Sequence, residues 1–447
     1  MRGRLGMTIG GLLVACCPIW AIASCAEPPG TPDSSRQASA SGSAEVSAEA
    51  RRAEPVRVAE RREPQAPVRS WPAEPETGVG LAPTARLRPL RPSDVEVKPD
   101  RYQSARICGS CHEDILFKWA HSMHALAYTD RVFRQALLEA YYYSEGKAAE
   151  RCLRCHSPTA VETGDFLGKQ DLTLEGVTCD YCHSIDGIEE GPHGTLRARI
   201  DHSKLHGPLD IPEPPQHSVA KRDYFSRSEI CAVCHDYTTE DGTVVFATYA
   251  EWRASKYAEI GKQCQDCHMP RLERAQPTKT GGRVFNDHDL QGGHSKAQIK
   301  KAIDARIEEV SRDGDRVRVV VAVENVGAGH SVPTGLPSRM LVLTVTARQR
   351  GRKIFSRETV YKRVLLGDDH RVLTEDWEIK LLSKSVLRDN RIRAGETRRE
   401  IFVFDASPQD DIVFEVEVAY RYRPRAAVQG TSEVSITRFE KILERGI

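Results

Sequence analysis

Five copies of the pattern Cys-x-x-Cys-His constrain this 447-residue chain more than any other feature. Two thiols three residues apart reach the two vinyl groups of one haem and form thioethers, while the adjacent imidazole binds the iron as proximal ligand. The sequence therefore predicts five covalently attached haem c groups. The attachment cysteines are Cys108, Cys111, Cys152, Cys155, Cys179, Cys182, Cys231, Cys234, Cys264 and Cys267, and the proximal ligands are His112, His156, His183, His235 and His268.

Zinc ribbons and disulfides are the competing interpretations of these cysteines. Zinc ribbons pair their Cys-x-x-Cys units at spacings of about 15 to 20 residues and do not require a histidine after each second cysteine. Disulfides would be compatible with export, but they would not account for five identical Cys-His endings. Because thioether attachment takes place outside the cytoplasm in bacteria, the haem interpretation predicts an exported protein.

An export signal is present at the N-terminus. Arg2 and Arg4 precede a mostly apolar stretch over residues 5–23, which is typical of a signal peptide covering residues 1–24. The segment Ile22-Ala23-Ser24-Cys25 resembles a bacterial lipobox, so Cys25 is the predicted lipidated residue. The alternative is ordinary cleavage near Ala23 or Ala26, which would release a soluble product. We expect a cell-envelope protein, lipid-anchored and facing the periplasm or the cell surface.

Three segments follow the signal peptide, and together they indicate a multidomain α+β protein. Residues 25–100 are rich in Pro, Ala and Arg and are predicted to be a disordered tether. Residues 101–305 are predicted to form a mainly α, loop-rich pentahaem domain, with helices over 113–127, 132–144 and 295–307. Residues 306–447 show period-two alternation, which predicts an antiparallel β-sandwich closed by an amphipathic helix over 435–445.

The remaining ten histidines include the candidates for the sixth iron ligands. His124 follows the first motif by one helix, and His330 lies in a glycine-flanked loop that we expect to insert toward a haem. The alternatives are a surface histidine at position 124 and a backbone-bonded turn histidine at position 330. The other candidates are His217, His294, His288 and His193; His202, His206, Met123 and Met269 are weaker, and His370 is expected in an exposed turn.

The first motif, Cys108-Gly-Ser-Cys-His112, followed by Trp119 and His124, resembles the opening of the cytochrome c-554 family of multihaem cytochromes. The resemblance covers about residues 101–268 and is weaker through residue 294. It implies closely packed haems with mostly two histidine ligands, one haem open or nearly so, and a histidine matching His124 that binds a later haem. The type members of the family have four haems and lack the β-sandwich and the lipid anchor.

Charge and haem count together indicate the class of function. With 64 Lys and Arg against 63 Asp and Glu, the formal charge of +1 gives no basic surplus for nucleic acid. Loss of Arg2 and Arg4 changes +1 to −1, and each haem adds about −1 when ferric. The mature protein is therefore expected to be acidic and to dock on a basic surface of its redox partners.

The function that follows is a membrane-tethered electron carrier, favoured over an enzyme, with no catalytic residue assigned. One alternative is an oxidoreductase with one open iron that acts on nitrite, hydroxylamine, nitric oxide or a small sulfur species. Another is a subunit of an extracellular cytochrome filament or a homo-oligomer.

Overall fold

A computed structural model of the chain describes residues 90–91, 101–273, 284–422 and 433–445. The predicted signal peptide, Cys25 and nearly all of the predicted tether lie outside these ranges. Within the described ranges, no helix combines the length and the apolar character that crossing a membrane requires.

Short helices dominate the part of the chain that carries the five motifs. The helix over Arg131–Tyr143 begins where the Asp130 side chain accepts a hydrogen bond from the Phe133 amide at 2.9 Å, and it buries Ala136, Leu137 and Ala140 on one face. The helices are Ala105–Gly109 (α1), Glu113–Ala120 (α2), Arg131–Tyr143 (α3), Ala149–His156 (α4), Pro158–Thr163 (α5), Asp171–Leu174 (α6), Cys179–His183 (α7), Glu229–His235 (α8), Thr248–Arg253 (α9), Lys256–Glu259 (α10), Cys264–His268 (α11), Lys296–Ala302 (α12) and Asp376–Leu382 (α13).

Eight short strands connect these helices in four two-stranded sheets. They are Ile185–Glu190 (β1) with Leu196–Ile200 (β2), Leu205–Gly207 (β3) with Val219–Lys221 (β4), Asp236–Thr238 (β5) with Val244–Ala247 (β6), and Arg271–Glu273 (β7) with Val284–Asn286 (β8). The β3–β4 pair is parallel and the other three pairs are antiparallel. The sheets hold the loops that follow individual motifs.

Two antiparallel sheets face each other in the C-terminal part of the chain. Their strands are Ile303–Asp313 (β9), Arg316–Asn325 (β10), Met340–Gln349 (β11), Arg352–Tyr361 (β12), Thr397–Asp405 (β15), Ile412–Arg421 (β16) and Glu433–Leu443 (β17). The first sheet has the strand order β15-β10-β9 and the second the order β12-β11-β16-β17. A small pair, Arg363–Leu366 (β13) and Ser385–Asp389 (β14), flanks α13.

The core of this sandwich is filled from both inner faces. Alternate residues of β10, including Val317, Val319 and Val321, are fully buried and meet Leu343 of β11 and Phe414 of β16 in one hydrophobic cluster. Period-two alternation thus produces the two-layer packing that the sequence predicts.

Three local predictions differ from the structure. Residues 435–445 lie mostly in strand β17 rather than in a helix, because β17 completes the second sheet beside β16 and buries Ile436 and Leu443. The predicted helix over 113–127 ends at Ala120, and the one over 295–307 ends at Ala302, where β9 begins at the next residue. The helices are consequently shorter than expected, and more of the described residues lie in strands than in helices.

The motif-bearing part and the sandwich belong to one compact unit. Arg391 Nη2, which is almost fully buried, bonds to Glu251 Oε1 of α9 at 2.6 Å, and Glu251 Oε2 accepts from the Ser331 amide at 3.0 Å. Helix α13 packs its Trp377 ring against Tyr143 of α3, with ring centroids 4.7 Å apart. These contacts hold the His330 loop and α13 against the motifs.

Candidate functional site

Helical geometry brings the three reactive side chains of each motif together. Four of the five motifs lie within α4, α7, α8 and α11, and each of these helices ends at the motif histidine. Positions i, i+3 and i+4 share one face of a helix, so two thiols and one imidazole point the same way. The first motif keeps this arrangement beyond α1, because the His112 amide donates to the Cys108 carbonyl at 2.9 Å.

The ring nitrogens of several histidines are set for iron binding. A backbone carbonyl can only accept, so an Nδ1 bonded to one carries the proton and leaves the Nε2 lone pair for a metal. His156, His183 and His268 bond in this way to the carbonyls of Ala127, His206 and Gln291, at 3.1, 2.6 and 2.6 Å. His288 and His330 do the same with Asn286 at 2.7 Å and Ser331 at 3.0 Å. The protonation of these five imidazoles is therefore the one that binding to a haem iron requires.

Burial favours the neutral form of several of the imidazoles in this part of the chain, which is the form that binds a metal. Burial lowers the pKa of His124 to about 3, with a further contribution from neighbouring His235. Burial also lowers the pKa of His156, His235 and His288 to about 4 in each case. The pKa values of His183, His294 and His330 are lowered for the same reason.

Two pairs of imidazole rings have centroid separations that match two ligands on one iron. The ring centroids of His124 and His235 are 6.1 Å apart, and those of His268 and His330 are 6.4 Å apart. Two imidazoles bound on opposite sides of one metal at about 2.0 Å place their centroids about 6 Å apart. Direct ring packing would be closer, as in the 3.8 Å stack of Phe133 on His156. The geometry therefore brings His124 to the fourth motif and His330 to the fifth.

Three further candidates interact with proximal histidines. Burial is the largest cause of the lowered pKa of His183, and the charge of nearby His217 lowers it further. Within the described ranges, the buried His217 Nδ1 has no hydrogen-bond partner. His288 interacts electrostatically with both His183 and His112. His294 interacts with His268 of the fifth motif and with His124.

The second motif has different surroundings. Among the described residues, the ring that contacts His156 is Phe133, stacked parallel to it with an interplanar angle of 7°. Two cations from the C-terminal part, Lys380 and Arg339, contribute to the lowered pKa of His156. Lys380 Nζ lies 3.0 Å from the centroid of the Tyr237 ring. Nothing in the sequence singled out Phe133 or Lys380, because neither belongs to a motif and their contacts depend on how α13 and α3 pack.

Thiols from different motifs also come together. The side chains of Cys108 and Cys179, of Cys155 and Cys234, and of Cys231 and Cys264 lie close enough for one thiol to shift the pKa of the other. None of the ten described cysteines forms a disulfide. The first and third, second and fourth, and fourth and fifth motifs are therefore direct neighbours.

The remaining histidines lie away from the motif pairs. His193 is in an exposed turn with φ of 56°, and its Nε2 bonds to the Glu240 carbonyl at 2.9 Å. His202 Nε2 lies 3.2 Å from Glu162, and His121 is exposed with its Nδ1 on the Phe117 carbonyl. His370 lies in an exposed turn.

Comparison with known proteins gives two informative matches. The family model for cytochrome c554 and c-prime matches residues 107–184, which contain the first three motifs. The crystal structure of a penta-heme cytochrome c552 from Thermochromatium tepidum superposes with a TM-score of 0.61 at 22% identity, covering 76% of this chain and 99% of that one. At this identity the likeness shows a shared fold. Together the two matches confirm the resemblance to multihaem c-type cytochromes.

Two further structural matches, an Arabidopsis thaliana protein and chicken MD-1 bound to lipid IVa, share 13% and 12% identity and each cover 32% of this chain. They cover 77% and 90% of their own chains, and TM-scores of 0.16 do not indicate a shared fold. No curated protein matches the chain.

Proposed function

We propose that this protein is a membrane-tethered pentahaem cytochrome that carries single electrons between redox partners in the cell envelope. The observation that carries the proposal is the pairing of His124 with His235 and of His268 with His330. An iron bound by two imidazoles is closed to small molecules and exchanges electrons without binding a substrate. This is the behaviour of a carrier.

The residues that would hold the cofactors are those of the five motifs. Each thiol pair would form two thioether bonds, and each bound haem would supply one-electron chemistry between ferric and ferrous iron. The protein orients the imidazoles through their Nδ1 bonds to backbone carbonyls, as at His183 and His268. These bonds make each Nε2 a stronger donor to iron.

The thiol contacts support a connected path rather than five isolated centres. The fourth motif contacts the second through Cys234 and Cys155 and the fifth through Cys231 and Cys264. The first and third motifs form another pair through Cys108 and Cys179. Cys182 of the third motif interacts electrostatically with Cys231 and Cys234, which connects the two groups. We infer that the fourth haem is the branching point.

Tethering and docking are further parts of the proposal. The support for the anchor is the lipobox-like segment ending at Cys25, which is followed by a Pro-rich segment long enough to span about 50 Å as a flexible coil. The support for a basic docking surface on the partner is the acidic charge expected for the haem-loaded mature chain. Replacement of Cys25 by Ser is expected to release the protein from membranes, and recovery of the variant in the membrane pellet would contradict the anchor.

A reductive titration tests the carrier directly. The anaerobic holoprotein is expected to take up five electrons per molecule and to return all five to an outer-sphere oxidant such as ferricyanide. Uptake of fewer than five, at full haem content, would show that at least one haem is not connected to the path.

A second candidate function rests on the second motif, because among the described residues no imidazole ring is paired with His156 at the 6 Å separation seen for His235 and His268, and its ring neighbour is Phe133, which cannot bind iron. An open iron there, with Lys380 and Arg339 close by, would favour an anion such as nitrite. Nitrite added to the oxidised protein would then shift the absorption of one haem in five, and the Lys380→Gln variant would bind it more weakly. An unchanged spectrum at millimolar nitrite would remove this candidate.

A further inference from the structure

A cluster outside the five motifs brings together an imidazole and two carboxylates. His206 of β3 is 2% exposed, and neither of its ring nitrogens has a hydrogen-bond partner among the residues that the structure describes. Its Nε2 lies 3.8 Å from Asp186 Oδ1 of β1 and 3.9 Å from Asp201 Oδ2. One donor atom from each of the three residues lies within 4.8 Å of those from the other two.

The distances leave space for a cation between the three donors. Ligand atoms at about 2.0 Å from a tetrahedral metal lie about 3.3 Å from one another. The observed separations of 3.8 and 3.9 Å exceed this value by about half an ångström, which small side-chain rotations can close. A hydrogen bond would require a still shorter approach, so the buried imidazole is satisfied neither by the carboxylates nor by the rest of the described chain.

The charges around the cluster also leave one negative charge uncompensated. Arg222 bonds to Asp186 Oδ1, while Arg199 bonds to Asp186 Oδ2 at 2.9 Å and to Glu189 at 3.1 Å. Asp201 uses Oδ1 to accept from the Ser203 amide at 2.8 Å, and its Oδ2 faces His206. Three carboxylates against two guanidinium groups give a net charge of −1. Because the Asp201 side chain is 37% exposed, a cation has a route from solvent.

We propose that Asp186, Asp201 and His206 bind a divalent transition metal ion, with water completing the coordination. One imidazole with two carboxylates suits Zn²⁺ better than Ca²⁺ or Mg²⁺, which take oxygen ligands alone. Arg222 can remain on Asp186 Oδ1, since a carboxylate oxygen has two lone pairs. The ion would cross-link β1, β3 and the loop that follows β2.

The same cluster adjoins the third motif. The His206 carbonyl accepts the Nδ1–H of His183 at 2.6 Å, so an ion that fixes His206 also fixes the orientation of that imidazole. This consequence rests on the proposed haem ligation, whereas the cation site itself does not.

Zn²⁺ binding to the EDTA-treated holoprotein tests the site. Isothermal titration calorimetry is expected to show one strong Zn²⁺ site and no comparable Ca²⁺ site. The Asp201→Asn variant keeps the shape of the side chain and is expected to weaken Zn²⁺ binding at least tenfold, and His206→Gln is expected to do the same. Two controls, Asp223→Asn at an exposed carboxylate and His370→Gln at an exposed imidazole, are expected to bind like the wild type.

Equal Zn²⁺ affinity in the wild type and in Asp201→Asn would overturn the proposal, as would loss of binding in His370→Gln alone. Haem content and absorption spectra identify any variant that fails to fold. If the cation site is correct but the haem assignment is not, Zn²⁺ will bind with the same affinity and leave the potential of the third haem unchanged.

Discussion

The rings of His268 and His330 lie 6.4 Å apart at an angle of 17°, and this pair joins the last Cys-x-x-Cys-His motif to a loop of the β-sandwich. His330 follows β10, and its Nδ1 bonds to the Ser331 carbonyl at 3.0 Å, which leaves the Nε2 lone pair for a metal. The sandwich thus contributes a side chain to the haem-binding part. The β-sandwich therefore has two roles: it forms its own hydrophobic core, and it supplies His330 to the last motif.

Replacement of His330 by Ala is expected to convert one haem in five from low-spin to high-spin, because the fifth iron loses its second imidazole. Electron paramagnetic resonance of the oxidised protein measures the conversion. The matched control is His370→Ala, which removes an exposed turn histidine and is expected to leave the spectrum unchanged. An unaltered His330→Ala spectrum would remove this residue from the iron ligands.

Replacement of His124 by Ala is expected to alter the fourth haem and not the first, although His124 is much nearer to the first motif in sequence. The reason is the 6.1 Å ring separation from His235. A double variant with Cys231 and Cys234 replaced by Ala lacks the fourth haem, and adding His124→Ala to it should cause no further high-spin signal. A further signal there would assign His124 to another iron.

Loss of Arg391 is expected to destabilise the contact that holds the His330 loop. Arg391→Gln breaks the 2.6 Å ion pair with Glu251 and the 2.7 Å pair with Asp389, and breaking a buried ion pair costs about 3 kcal/mol in the free energy of unfolding. Denaturant unfolding measures it. The control is Arg350→Gln, whose 2.8 Å pair with Asp410 is 76% exposed on the arginine side and contributes less than about 1 kcal/mol. Equal effects of the two variants would refute a structural role for Arg391.

Truncation of Phe414 tests the sandwich core. Phe414→Ala is expected to lower the free energy of unfolding by about 3 to 5 kcal/mol, because this fully buried ring fills space between the two sheets. Ile401→Ala changes a side chain that is 56% exposed on β15 and should cost much less. Unfolding of both variants at the same denaturant concentration would contradict the role of Phe414 in the sandwich core.

Lys380 is expected to raise the reduction potential of the second haem, since a nearby cation favours the more negative ferrous state. Lys380 interacts with Cys152, Cys155 and Cys234. Burial lowers its pKa, whereas the Tyr237 ring, whose centroid lies 3.0 Å from Nζ, favours the charged ammonium form. Lys380→Gln should therefore lower that potential in a spectroscopic redox titration. Lys384→Gln, which removes an exposed lysine paired with Asp241 at 2.7 Å, should not.

The motifs and the alternating strands were predictable because each is a local pattern. A helical turn places the thiols and histidine of Cys264–His268 on one face, and alternation along β10 marks its buried side. The final strand β17 was not predictable, because its pattern of apolar residues also fits an amphipathic helix. Only its pairing with β16 makes the segment a strand. The environment of His156 was equally hidden, since Phe133 and Lys380 reach it through tertiary packing.

Steady-state turnover tests the central claim most directly. A catalytic amount of holoprotein is mixed anaerobically with excess reduced dye and with either an outer-sphere cobalt(III) acceptor or nitrite, hydroxylamine or nitric oxide. A carrier is expected to pass electrons continuously from the dye to the cobalt complex and to sustain no consumption of the nitrogen compounds. Sustained consumption of any of these compounds, beyond the five electrons that the protein can hold, would contradict the carrier and favour an enzyme.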